Sequence, residues 1–197
     1  MPINSEHVMV GRADQTTTGA ILSGAVVTDI PADITAALTA ISGFTSSGYV
    51  GDDGVTLAQS ISTKEIKEWN GATVRKVIEK FDGTIKFKLI QTDYEGWCQA
   101  VGAENVVRTP ADAQHGEQLH IKLGTHLPKN QAFALKLKDG DQRMLVLIPN
   151  GQVTDCADIS FKATEPIPLE VTVTAYDDGT GNGDAIHIFT DDGKVGA

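Results

Sequence analysis

The densest gathering of groups that could do chemistry is the run Asp177-Asp178-Gly179-Thr180-Gly181-Asn182-Gly183-Asp184. Asp177, Asp178, Asn182 and Asp184 offer oxygen ligands close together in sequence, the hard-donor set that calcium takes. Their spacing departs from a helix–loop–helix calcium loop, and no glutamate follows where a bidentate ligand would close it. Acids interleaved with glycine are also what a solvated turn uses, and the spacing favours that reading. His115 and His120 bracket Gly116-Glu117-Gln118-Leu119 in a pattern superficially like a zinc helix. They stand five apart rather than four, so they cannot share one helical face in the required geometry. Asp52-Asp53 and Asp191-Asp192 each run into a glycine, again as turns do. Cys98 and Cys156 form no close pair and have no histidine at a suggestive position, so two buried thiols are expected rather than a disulfide. No GxSxG elbow, phosphate-binding glycine loop or GxGxxG follows a strand pattern. The expectation is therefore no catalytic residue, no metal and no cofactor.

The elements that would position these residues are mostly strands. Ile85, Phe87 and Leu89 alternate with Lys86 and Lys88, a period of two that places apolar side chains on one face and charges on the other. Leu119, Ile121 and Leu123 do the same, as do Phe133, Leu135 and Leu137, and then Leu169, Val171, Val173 and Ala175. Strands wet on one face point to antiparallel sheets. Met144-Leu145-Val146-Leu147-Ile148 is apolar on both faces, which calls for cover on both sides, from its own chain or from a neighbour. Asp82-Gly83, Asp139-Gly140 and Asn150-Gly151 offer the positive φ of tight turns, and at least two of them are expected to be hairpins. Two stretches follow a helical period instead. Ile34, Ala37, Leu38 and Ile41 predict a helix within 31–42, and Tyr94, Trp97, Cys98 and Val101 predict another within 92–102, capped by Thr92 or Asp93 and closed by Gly102. Tyr94 and Trp97 read as anchors into a core rather than a ligand cage.

The first 25 residues carry little pattern and are expected to be a flexible N-terminal arm; residues 26–190 then form one β domain and 191–197 a C-terminal tail. The chain of 197 residues, 41 % of them apolar, suffices for a core without staples. A net charge of -10, from 26 acidic against 16 basic side chains, argues against a groove dedicated to nucleic acid. The N-terminal residues lack the basic and apolar regions of a signal peptide, and no run approaches a membrane span, so a chain made in the cytosol with no membrane partner is expected.

The central block carries a resemblance. Gly48-Tyr49-Val50-Gly51-Asp52-Asp53-Gly54-Val55 leads into Ile66-Lys67-Glu68-Trp69-Asn70-Gly71, then Val74-Arg75-Lys76-Val77, then Phe81-Asp82-Gly83-Thr84-Ile85-Lys86-Phe87-Lys88-Leu89-Ile90. This succession, followed by the second helix, resembles the major tail proteins of long, non-contractile-tailed bacteriophages, especially those of actinobacterial hosts. Glu170–Tyr176, an Asp/Gly loop and a final strand Ile186–Thr190 match as well. Asn70 departs from the more familiar pair of glycines at its position. The resemblance implies a tail tube fold: an antiparallel β-sandwich or barrel-like subunit with one or two short flanking helices. It also implies a virion protein whose partners are itself, in hexameric rings stacked into a tube, and other tail proteins, with DNA passing through the lumen without specific binding.

On that reading the work is done by contacts between copies. The interface candidates are Tyr49, Val50, Asp52 and Asp53 in the loop 43–55, Trp69, the N-terminal arm and the C-terminal tail. Tyr49 and Val50 serve equally well as packing beneath their own helix. Two rivals stay open: a β-sandwich binding module for carbohydrate or calcium, and a tail terminator or head-to-tail joining protein that forms one ring and stops.

Overall fold

The computed structural model describes residues 8–15, 18–125 and 127–194. The described residues are mainly β. In chain order they form β1 (Ile21–Gly24), α1 (Ile34–Ala40), β2 (Thr45–Ser46), β3 (Val50–Lys67), β4 (Thr73–Leu89) and α2 (Tyr94–Val101). There follow β5 (Val106–Thr109), β6 (Gln118–Ile121), β7 (Gln131–Asp139), β8 (Gln142–Cys156), β9 (Leu169–Ala175) and β10 (His187–Asp191). Eight strands share one antiparallel sheet in the order β2-β1-β7-β8-β9-β4-β3, with β10 joined to β8, while β5 and β6 form a separate small hairpin.

The long strand β8 divides that sheet into two halves. Its first part, Arg143–Leu147, pairs with β10, and its second, Gly151–Cys156, pairs with β9. Both partners use the same edge of β8, because β7 occupies the other. The sheet splits at Pro149–Asn150 and its halves face each other. Ile21, Leu135, Val146 and Ile148 from one half meet Ile85, Phe87, Leu89, Val171 and Val173 from the other in a single core.

A second, smaller core lies on the outer face of the β1–β7–β8–β10 half. There Ala37 and Ile41 of α1 and the following turn cover Leu22, Ala134, Leu145 and Leu147. This explains the strand that is apolar on both faces: Val146 and Ile148 point to the main core, and Leu145 and Leu147 point to α1. No neighbouring subunit is needed to cover it. α1 begins where Asp33 accepts from the Ala36 N–H at 2.8 Å. α2 is capped likewise by Asp93, which accepts from Gly96, and it ends at Gly102, whose φ of 87° only glycine takes without strain. α2 closes the end of the main core with Ala100, Trp97 and Val101.

The turn predictions divide. Asp139-Gly140 is a hairpin: Asp139 pairs with Gln142, and Gly140 at φ 61° fills the first position of a two-residue loop. Asp82-Gly83 is not a turn. β4 runs straight through it, with Asp82 opposite Ser60 and Gly83 between Gln59 and Ala175. The glycine serves close approach instead, since a Cβ there would lie 2.7 Å from Ile186 Cδ1. Asn150-Gly151 does not end its strand either; it sits where β8 changes partner. A Cβ on Gly151 would be 3.0 Å from both Phe133 and Val173.

Two further expectations change. Residues expected to be part of a patternless arm form β1, which lies between β2 and β7 with Ile21 and Leu22 buried. Four residues are too few to display a period. The strand expected to reach Leu123 stops at Ile121, leaving Leu123 exposed. Residues 1–7, 16, 17 and 195–197, the outer parts of the expected arm and tail, lie outside the described residues.

Candidate functional site

The feature that departs most from a closed domain is the hairpin β3–β4. β4 pairs with β9 only from Gly83 to Leu89, so Ser60–Lys67 and Thr73–Asp82 continue as a two-stranded ribbon beyond the sheet. Ten residues of strand reach roughly 30 Å. The turn at its end is closed by Gly71 N–H donating to the Glu68 carbonyl at 2.9 Å, with Gly71 at φ 88°. The turn is Glu68-Trp69-Asn70-Gly71, with the glycine supplying the left-handed residue that follows the turn, and Trp69 stands fully exposed on it.

The ribbon continues the apolar face of the core without a core beneath it. Leu57 pairs with Ile85 and Ile61 with Phe81, so these side chains share the face that is buried lower in the sheet. A bulge between Ser62 and Thr63 then brings Ile78 onto the same face by skipping Glu79. Ile61, Ile78 and Val74 are exposed. Isolated two-stranded ribbons are marginal in water, and apolar side chains aligned on an unsupported ribbon are what a contact surface provides. Charges dress the rest. Glu65 lies 3.1 Å from Lys76 and 3.8 Å from Lys67, and Lys80 lies 2.8 Å from Asp82. Lys64 and Arg75 have no ion pair among the described residues.

The loop 43–55 lies at the other end of β3. Val50 is partly buried and packs against the main core. Tyr49 is 65 % exposed, beside a polar cleft lined by Gln15, Thr18, Ser46 and Gln91. Asp52 and Asp53 fall in a wide bulge, four residues long, between the pairs Val50–Leu89 and Val55–Phe87. Asp53 is bonded to Lys88, and that hydrogen bond and charge raise the Lys88 pKa. Tyr49 and Trp69 are thus at opposite ends of one strand and cannot form a single site.

Beneath this loop, β1, β2 and α2 are joined by buried polar groups. Ser47 donates to Gln99 Oε1, Gln99 Nε2 donates to Ser23 Oγ at 3.0 Å, and all three residues are buried. Ser47 Oγ also lies 2.9 Å from the Ile21 carbonyl. The network is satisfied internally, as buried polar groups must be.

The acidic loop 177–184 uses its oxygens on itself. Asp178 is buried; one carboxylate oxygen accepts from Thr180 N–H at 2.8 Å and Thr180 Oγ1 at 2.7 Å, and the other lies 2.9 Å from His187 Nε2. These bonds, the Thr180 N–H foremost, hold its pKa below the usual carboxylate value. Asp177 caps Gly179 N–H, and Asp184 contributes its backbone carbonyl to Asp178 N–H. Asn182 lies exposed in the same loop. Among the described residues no three His, Cys, Asp or Glu side chains gather as a metal ion requires. His115 meets Asp112 at the surface, while His120 sits on β6 opposite Val107. Cys98 and Cys156 are free thiols, and burial pushes both pKa values up, away from the reactive thiolate.

The described residues are a mainly antiparallel β protein whose most prominent feature is a ribbon, with the acids of the loop 177–184 and of the helix starts spent on turns and caps. The model of the phage tail tube protein family matches residues 1–195, and the chain belongs to that family. It is a structural component of the phage tail, not an enzyme. No curated protein sequence matches it. Among solved structures it is similar to a chain of the PVC extracellular contractile injection system, from the sheath–tube complex in the extended state. The identity is 17 % over 71 % of this chain and 84 % of that one, with a TM-score of 0.39. The sheath/tube terminator of the same system gives 15 % over 71 % and 89 %, at 0.38. The tube terminating cap of the anti-feeding prophage gives 12 % over 97 % and 100 %, at 0.40.

Proposed function

We propose that this chain is the repeating tube subunit of a long, non-contractile phage tail, assembling as hexameric rings that stack into the conduit for DNA. Membership of the tail tube family carries the reading, and the sequence resemblance adds the non-contractile type and an actinobacterial host. The β3–β4 ribbon is the element that bridges copies. Its free β3 edge and its apolar face at Ile61, Ile78 and Val74 supply the surface that a monomer leaves unused. Trp69 is an anchor at its tip, and Tyr49, Asp52 and Asp53 are contact residues at the opposite end of the same strand. The net charge of -10 suits a channel that lets DNA slide past, since each phosphate contact would slow transit. Synthesis in the host cytoplasm precedes assembly.

Electron microscopy of the concentrated protein, with its mass measured in solution, tests this. Hollow tubes or stacked six-fold rings are expected. A persistent monomer whose melting temperature rises with calcium or a sugar would overturn the tube reading in favour of a binding module.

A further inference from the structure

The ribbon leaves the domain at the end of the sheet where Gly83 meets Ala175. At the other end, toward the pair Leu89–Leu169, an open cleft lies between the C-terminal turn of α2, residues 122–124 and 127–128, and the last residues of β8. Its floor is apolar, with Ala100, Val101 and Val153, and Leu123 and Leu127 flank it at 71 % and 61 % exposure. Single exposed leucines are common. Two that wall one apolar cleft, with a fully exposed tryptophan at the opposite pole, make a knob and a hole on the same chain.

We propose that this cleft is the socket for the ribbon tip of a second copy of the chain, with Trp69 of one copy seated between Leu123 and Leu127 of the next. The proposal rests on the tube reading and names the acceptor that the ribbon requires. Charge assigns the occupant. The tip carries Lys64, Lys67, Arg75 and Lys76 against Glu65 and Glu68. The cleft itself is lined by one charge of each sign, Lys122 and Asp155, but its surroundings are acidic on balance: residues 91–105 hold Asp93, Glu95 and Glu104 with no Lys or Arg, residues 155–170 hold Asp155, Asp158, Glu165 and Glu170 against Lys162, and the third wall adds Lys122 and Lys129. A basic tip on an acidic rim steers the tip toward the socket and away from another tip. A large aromatic group that covers an apolar floor, and itself shuts water out on docking, is the usual energetic centre of such a contact. Because knob and hole occupy opposite ends, the contact is heterologous and repeats in one direction, as a tube axis requires.

Cys156 lines the cleft and provides the test. In a full-length Trp69→Cys variant, and in Asn70→Cys, which keeps the tryptophan, mild oxidation should give a ladder of dimers, trimers and longer chains on a non-reducing gel. The ladder should vanish when Cys156→Ser is added. Cross-linking that stops at dimers, or that does not depend on Cys156, would overturn the socket. Micrographs of wild-type protein separate the two claims: tubes without the ladder leave the tube reading standing and remove this acceptor. A ladder without rings or tubes keeps the head-to-tail contact and removes the tube.

Discussion

Asp178 shows how a residue that invites a metal reading is used for structure. Its carboxylate is withdrawn from water and held by Thr180 and His187, which pins the loop 177–184 beside β10. Its folded pKa lies below the ordinary carboxylate value, so its ionised form stabilises the fold at pH above that ordinary value. The contribution falls away as pH drops through the lowered pKa. Asp178→Asn should cost about 1–3 kcal/mol in urea unfolding near neutral pH. The gap from wild type should narrow below about pH 4, where the unfolded carboxylate takes up its proton. Trp69 is the opposite case. Fully exposed, it touches no core, and Trp69→Ala should leave the unfolding free energy within about 0.5 kcal/mol of wild type. The same variant should markedly slow tube formation, read by light scattering. The acids of residue 178 and its neighbours were visible in the sequence, but the partner His187 was not, because only the pairing of β10 with β8 brings it there.

The strands were legible wherever a charged side chain marks the outer face: Ile85–Leu89 and Leu169–Ala175 alternate because one side meets the core and the other meets water, and Phe133–Leu137 shows its period through Lys136 although Ala134 lies under α1. The helices were legible from period and caps. What local sequence could not separate is a glycine needed for positive φ from one needed for close packing. Gly140 is the first kind, and Gly83 and Gly151 are the second, yet each follows Asp or Asn. Gly83→Val should cost about 1–3 kcal/mol by overpacking against Ile186, and Ile186→Ala in the same chain should return part of that in thermal or urea melts. The ribbon was hidden for a related reason. Asn70-Gly71 is a hairpin signal, but nothing in a strand's pattern says whether a sheet continues beside it. Deleting residues 63–79 and joining Ser62 to Lys80 through Asn-Gly should leave a cooperatively folding monomer, because the deleted residues contribute nothing to either core cluster. Sedimentation of that variant should show a monomer at concentrations where the full chain assembles.

At the scale of the whole molecule, the two poles differ in charge while the net balance is acidic. Reversing the basic tip with Lys64→Glu and Arg75→Glu should reduce the assembly rate by an order of magnitude or so at low salt. Adding salt should narrow the difference as screening sets in, and circular dichroism should show an unchanged monomer. The overall fold class could be read from the chain. The division of the sheet by β8 and the separation of knob from hole could not, since both depend on pairings between distant segments.

That distance has a consequence for synthesis. Ile21–Gly24 pairs with Ala132–Leu135, so the first strand to leave the ribosome waits for more than half the chain before its edge is filled. At ribosomal rates of about 5–20 residues per second, the delay is on the order of ten seconds. A long apolar strand left bare for that time would invite neighbouring nascent chains to pair with it. A strand of four residues ending in Ser23 and Gly24 offers them little to hold.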